Sequence, residues 1–149
     1  MLLSGQAHVV TPGEGRIVDL GVTRMRVLAA GGTTGRTFTL AEFAGDEGHG
    51  PCRTCTAPWR SRSSYSKAAS RSASGTRRSR PVPGSYVLVP RETRHVLAAH
   101  AGGGRCLVLM VPGGEEDMFY ELGELGADSL RDPAVRAAIS GRYDSVPVR

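Results

Sequence analysis

The sequence predicts an all-β fold, a small barrel or sandwich of short strands, followed by a helical extension at the C-terminus. Apolar or alternating runs recur at residues 17–20, 25–29, 37–43, 86–89, 95–99 and 106–111, with glycines or prolines between them. Many short strands at regular spacing are typical of sandwiches and small barrels. A chain of 149 residues also has the length of one domain.

The strongest strand signals lie on either side of the middle of the chain. Residues 37–43 alternate between apolar and polar types, which predicts a half-buried strand. Residues 106–111 are continuously apolar, as in a strand of a sandwich interior. Within that run, Cys106 is interpreted as a buried core thiol. Turns are predicted at residues 31–35 and 102–104, where glycines cluster, and at the Pro-Gly pair of residues 83–84.

The C-terminal part changes to a helical pattern. Glu115, Glu116 and Asp117 are acids suited to the first turn of a helix, and apolar residues follow at helical spacing. Among them, Met118 and Phe119 are interpreted as core residues. A second helix is expected from an Asp132 N-cap, with proline at the first helical position, to Ser140, with Gly141 as its stop.

A segment rich in arginine and serine, residues 52–82, interrupts this pattern and carries the basic charge. Between Arg53 and Arg80 it has eight basic residues, eight serines and no acids, which leaves eleven basic against fourteen acidic residues elsewhere. The formal net charge of +5 therefore says nothing about the partners of the domain. No apolar run is long enough for a membrane span. Residues 1–5 lack the basic and apolar regions of a secretory signal, so we expect none. We expect a cytoplasmic protein without membrane partners.

The Arg/Ser-rich segment, taken literally, allows two interpretations. It could contact RNA through phosphates and stack Trp59 and Tyr65 on bases. We favour a solvated, disordered insertion with no nucleic-acid partner. Cys52 and Cys55 have the spacing of half a zinc site or a redox pair, but one such pair is a weak signal. An odd number of cysteines, three, argues against a disulfide framework.

Residues 84–95, G-S-Y-V-L-V-P-R-E-T-R-H, carry a family resemblance. They resemble the second conserved motif of the cupins, with Pro90 and His95 at the expected separation and Glu92 in place of the usual glycine. The flanks at residues 16–50 and 83–149 are similar to small single-domain cupins of the quercetin-dioxygenase-like group. The resemblance implies a jelly-roll β-barrel (a double-stranded β-helix) at residues 16–112, after an N-terminal segment at 1–15 and before helices at 113–149.

The resemblance also implies a metal inside the barrel, held by three histidines and one carboxylate. His95 would be the third histidine. The first motif should supply the other ligands, but Thr54, Thr56 and Arg60 stand at roughly those places. The expected cofactor is a divalent transition metal (Fe, Mn, Ni, Cu or Zn), weakly held or absent in the chain as written. No catalytic residue is assigned.

Three interpretations of function stay open at this stage. The resemblance implies a metal-dependent small-molecule enzyme, dioxygenase-like in one version. The alternatives are a non-catalytic cupin that binds a small ligand, and an inactive barrel damaged by its central segment. Cupins are often homodimers, although nothing in the sequence shows an interface. Of the other histidines, His49 could face the barrel mouth, whereas His100 and His8 are expected to be exposed.

A slipped reading frame would explain the Arg/Ser-rich segment. If the frame shifts by one base near Pro51 and returns near Pro83, codons that straddle Arg53/Thr54 and Cys55/Thr56 can encode histidine. Codons that overlap Arg60 can encode glutamate. One permitted translation begins P-H-V-H-R-A-M-E-E, which satisfies the first cupin motif in ligands and in spacing. We therefore hypothesise that residues 52–82 are read from a shifted frame.

Overall fold

The structure, a computed structural model, describes residues 7–46, 53–56, 60–67, 70–74, 77–79, 81–90, 94–99, 102–143 and 145–147. Eleven strands and three helices lie in these ranges. The strands are β1 (Arg16–Asp19), β2 (Thr23–Ala29), β3 (Thr39–Gly45), β4 (Arg53–Thr56), β5 (Arg60–Lys67), β6 (Ser70–Ser74), β7 (Arg77–Ser79), β8 (Tyr86–Val89), β9 (Arg94–Ala99), β10 (Gly104–Val111) and β11 (Ser145–Pro147). The helices are α1 (Glu116–Glu124), α2 (Gly126–Arg131) and α3 (Pro133–Arg142).

The strands form two antiparallel sheets. One has six strands in the order β1-β2-β3-β10-β5-β8, and the other has five in the order β11-β4-β9-β6-β7. Each sheet therefore mixes strands from both halves of the chain, which means that most pairings are non-local. The prediction of an all-β fold with a short helical extension at the C-terminus is confirmed.

The core lies on one face of the six-stranded sheet. Alternate residues of β2, β3 and β10 are buried there, as the period of two in a strand requires. Helices α1 and α3 add further apolar side chains, and Phe43 meets Phe119 edge to face with ring centroids 5.4 Å apart. The core cluster contains Val18, Met25, Val27, Ala41, Phe43, Cys106, Val108, Met110, Met118, Phe119, Leu122 and Ile139. The predictions that Met118, Phe119 and Cys106 are core residues are confirmed.

The Arg/Ser-rich segment contains strands, so the interpretation as a disordered insertion is wrong for the part that the structure describes. Strand β5 pairs with both β10 and β8, and β6 pairs with β9 and β7. The physical reason is that β8, β9 and β10 would otherwise leave backbone N–H and C=O groups without partners. Pairing therefore sets the conformation here, although the residues themselves show no alternating pattern.

Helix α3 begins where the sequence predicts and ends two residues later than predicted. The side chain of Asp132 accepts a hydrogen bond from the backbone N–H of Ala134, and Pro133 opens α3, as predicted. Gly141 does not end this helix, because α3 continues to Arg142 and the backbone of Gly141 is not left-handed. Helix α2 was not predicted. Within the described ranges, no helix has the length and apolarity needed to cross a membrane.

Candidate functional site

His95 lies on the side of β9 that packs against the core. Leu97, two residues further along the same strand, contacts the core cluster, and Ala99 is buried. Because residues two apart in a strand share a face, His95 belongs to this inner face as well. Its side chain is half-buried. The structure therefore puts the histidine that the sequence singled out inside the fold.

The backbone register brings one first-motif position beside His95. Strand β4 runs antiparallel to β9, with residue 54 directly opposite residue 95. Directly opposite residues in an antiparallel pair lie on the same face of the sheet, with Cβ atoms about 5 Å apart. Two ligands at these positions could therefore reach one metal ion.

The other two first-motif positions lie further away in the pairing pattern. Residue 56 is at the end of β4 and pairs with Ser145 of β11. Residue 60 opens β5 in the six-stranded sheet, opposite Val111. Position 54 therefore lies beside His95, and position 56 lies two residues further along β4. Position 60 lies in the other sheet.

The side chains present do not fit the metal that the resemblance implies. A transition-metal site needs several nitrogen, sulfur or carboxylate donors, whereas threonine and arginine stand at positions 54, 56 and 60. Across the described parts of the chain, no group of three or more His, Cys, Asp and Glu side chains could hold an ion. These three positions therefore lack the donors that a transition-metal site with His95 needs.

Four of the other candidate residues lie outside the described residues, namely His49, Cys52, Trp59 and His100. His8 is exposed, as predicted, with its Nε2 2.7 Å from the backbone oxygen of Leu28. Burial, and secondarily the charge of Glu42, raises the pKa of the Cys106 thiol to about 12. Such a thiol is a poor nucleophile at neutral pH, which agrees with its interpretation as core.

Two adjacent carboxyl groups at the start of α1 were interpreted only as helix N-terminal acids. Glu116 accepts hydrogen bonds from the backbone N–H of Gly31 at 2.6 Å and of Gly114 at 2.9 Å, and from the hydroxyl of Thr39. It therefore ties α1 to the loop after β2 and to β3.

The side chain of Glu115, unlike that of Glu116, has a buried oxygen without a hydrogen-bond donor among the described residues. The side chain is half-buried as a whole, but its Oε2 is buried and has no hydrogen-bond partner among the described residues. Burial, reinforced by the neighbouring charge of Glu116, raises the pKa of Glu115 well above its usual value. The pair thus combines one fully hydrogen-bonded carboxylate with one carboxyl group that favours its protonated form.

The comparisons with known proteins agree on the fold. No protein-family model and no curated protein matches the sequence. Among solved structures, an RmlC-like cupin from Shewanella frigidimarina is similar over 75% of this chain and 96% of its own, with a TM-score of 0.63 and 14% identity. KdgF from Halomonas sp. is similar over 75% of this chain and 99% of its own, with a TM-score of 0.65 and 15% identity.

An Fe(II) form of HppE is a further match, similar over 74% of this chain and 62% of its own, with a TM-score of 0.62 and 10% identity. At such low identities the likeness concerns architecture, and activities differ widely among proteins that share a fold. The fold of this chain is the cupin jelly-roll β-barrel. The predicted fold class is therefore confirmed.

Proposed function

We propose that this chain is a cupin whose barrel interior, around His95, serves small-molecule chemistry. By resemblance, the frame-restored protein is a metal-dependent enzyme, dioxygenase-like, and metal binding is impaired in the chain as written. The observation that carries the proposal is the register between β4 and β9, which sets residue 54 opposite His95 on one face. That is the juxtaposition that two motifs contributing to one metal site require.

The metal part of the proposal draws support from one neighbour and from donor chemistry. The HppE structure is described as an Fe(II) form. A neutral imidazole at position 95, two more at 54 and 56, and a carboxylate near 60 would make a donor set for Fe, Mn, Ni, Cu or Zn. Such an ion would supply Lewis acidity or redox chemistry to a bound substrate.

Restoring the missing donors tests this proposal. We expect the chain as written to retain no tightly held ion after purification. The triple variant Thr54→His, Thr56→His, Arg60→Glu is expected to bind about one ion per chain, because it supplies the donors that a transition metal needs. The measurements are elemental analysis of the purified proteins and a titration with Co²⁺, whose absorption spectrum reports coordination.

The matched control is the triple variant with His95→Ala added. We expect it to bind Co²⁺ at least tenfold more weakly, because one imidazole ligand is lost. One tightly held ion in the chain as written would contradict the proposed impairment. Equal Co²⁺ affinity of the triple variant with and without His95 would contradict the place of the site.

A non-catalytic cupin that binds a small ligand in the barrel is the second candidate. The missing donors at positions 54, 56 and 60 favour it for the chain as written. Turnover of flavonols or other enolic substrates by the metal-loaded triple variant would favour the enzyme, whereas binding of such compounds without turnover would favour the binder. In both cases we propose a cytoplasmic protein with a small-molecule partner, no nucleic-acid or membrane partner, and the option of a homodimer.

A further inference from the structure

An open groove lies on the outer face of the six-stranded sheet, on the side away from the core. Its volume is about 600 Å³. Residues of β2, β3 and β10 that alternate with the buried ones form its floor, and Pro12 and Gly13 of the N-terminal segment form part of its wall. The volume is in the range of pockets that take small-molecule ligands.

Three residues make a straight row across the floor of this groove. Ala44 of β3 is the direct partner of Arg24 on β2 and of Arg105 on β10. Neighbouring strands are about 4.8 Å apart, so the two arginine Cα atoms are separated by roughly 10 Å. The small side chain of Ala44 leaves space between two long cationic side chains, which could close on one ligand group from both sides.

The next pair of residues along β2 and β3, Arg26 and Glu42, affects the charge of the groove. Glu42 lies 3.4 Å from Nε of Arg26 and 3.7 Å from a guanidinium nitrogen of Arg105. One carboxylate is therefore shared by two arginines. Arg24 is exposed, and its guanidinium makes no hydrogen bond or ion pair with any residue that the structure describes. Even with Asp46 at the rim, the groove keeps a net positive charge.

We propose that this groove binds a small molecule through an oxyanion, a carboxylate or a phosphate, held between Arg24 and Arg105 over Ala44. Arginine presents a planar set of donors that matches both kinds of oxyanion. The contact of Arg105 with Glu42 limits the freedom of its side chain before a ligand arrives. This site is separate from the barrel interior around His95 and does not depend on the metal hypothesis.

The test is a calorimetric titration of the full chain with inorganic phosphate and, separately, with citrate. We expect one or both to bind, and the preference between them identifies the oxyanion. Arg24→Gln and Arg105→Gln should each weaken binding roughly tenfold or more, as expected for loss of a charge-assisted hydrogen bond. Arg136→Gln is the matched control, because Arg136 is exposed on α3 outside the groove. It should change the affinity less than twofold.

The variant Ala44→Leu distinguishes binding in a shaped site between the two arginines from binding by general positive charge. It keeps both arginines but fills the floor between them, and we expect it to weaken binding as much as either arginine variant. The proposal is overturned if neither probe binds at millimolar concentration, or if Arg136→Gln weakens binding as much as Arg24→Gln. It is also overturned if Ala44→Leu leaves the affinity unchanged in a variant whose circular dichroism shows it folded. A dimer of the wild type that Arg24→Gln dissociates, as measured by sedimentation, would overturn it too, because the groove would then be an interface between two copies.

Discussion

At the scale of single residues, Glu115 and Glu116 show how the same side chain takes two roles at neighbouring positions. Glu116 has three hydrogen-bond donors around it and links three parts of the fold. The buried Oε2 of Glu115 has none from the residues described. A buried charge without hydrogen-bond partners is costly, so burial favours the protonated form of Glu115. The side chain of Glu116, in contrast, is stabilised by its three hydrogen-bond donors.

Glu115→Gln is expected to stabilise the protein at alkaline pH and to have little effect near pH 4. The pKa of Glu115 in the folded state is raised above the ordinary 4.5. The stability that its proton contributes is therefore fully present below about pH 4.5 and is lost as the pH rises through the folded pKa. Glutamine stays neutral throughout. The expected gain is about 1.4 kcal/mol for each pH unit crossed in that range.

Urea unfolding of both proteins at several pH values measures this difference. Glu124→Gln is the control, because Glu124 is exposed at the other end of α1. Its effect on the free energy of unfolding should be small and should not grow from pH 4 to pH 8. A difference between wild type and Glu115→Gln that is constant over this range would show that the pKa of Glu115 is the same in the folded and unfolded states, which would contradict the raised pKa.

At the scale of elements, the contact between α1 and β1 depends on a glycine. A Cβ atom at Gly123 would lie 2.5 Å from Cγ1 of Val18, a buried and stiff side chain, and 3.5 Å from the oxygen of Asp19. In α3, by contrast, nothing lies within 4 Å of a Cβ at Gly141. The two helical glycines therefore form a matched pair for the same substitution.

We expect Gly123→Ala to destabilise the protein and Gly141→Ala to stabilise it. Alanine gains about 0.5–1 kcal/mol over glycine inside a helix. At Gly141 this gain is free of any clash. At Gly123 the overpacking against Val18 costs about 1–3 kcal/mol and outweighs it. Urea unfolding of both variants is the measurement, and stabilisation by Gly123→Ala would mean that α1 does not pack tightly on β1.

The elements that the sequence predicts are those with a local signal. Strands β2, β3 and β10 alternate or are strongly apolar, and α3 begins with a capping aspartate before proline. Helix α2 was missed because it is only six residues long and starts at Gly126, which has a positive φ typical of a break. Strand β11 was missed because three residues that end in proline carry little strand signal.

The candidate site was predictable only in part. His95 stands in a motif with fixed spacing, and strand β9 follows from its apolar neighbours. Its partner position, residue 54, follows from a pairing between strands about forty residues apart in sequence, which no local pattern encodes. The groove of Arg24 and Arg105 has the same origin, because three strands must pair before the two arginines flank Ala44.

At the scale of the whole molecule, the Arg/Ser-rich segment and the topology disagree. Strand β5 lies between β10 and β8 within the six-stranded sheet, where strands are ordinarily rich in β-branched and aromatic residues. Its sequence is R-S-R-S-S-Y-S-K. In natural proteins the secondary-structure propensity of a segment usually agrees with its place in the fold, and the sequence of β5 does not agree with its central place in a sheet. A shifted frame would resolve that inconsistency, because the alternative translation would put alternating apolar residues at these positions.

The decisive measurement is the nucleotide sequence of codons 48–86 on fresh template. We expect one base gained or lost near Pro51 and compensated near Pro83. A chain expressed from the restored frame should then unfold in a single cooperative transition at a higher temperature than the chain as written, because apolar residues again cover the inner faces of both sheets. It should also bind a transition metal with His95 as one ligand. If the DNA confirms the sequence as printed, the frame hypothesis fails. The metal-free interpretation, a binding barrel or a damaged one, is then the one to pursue.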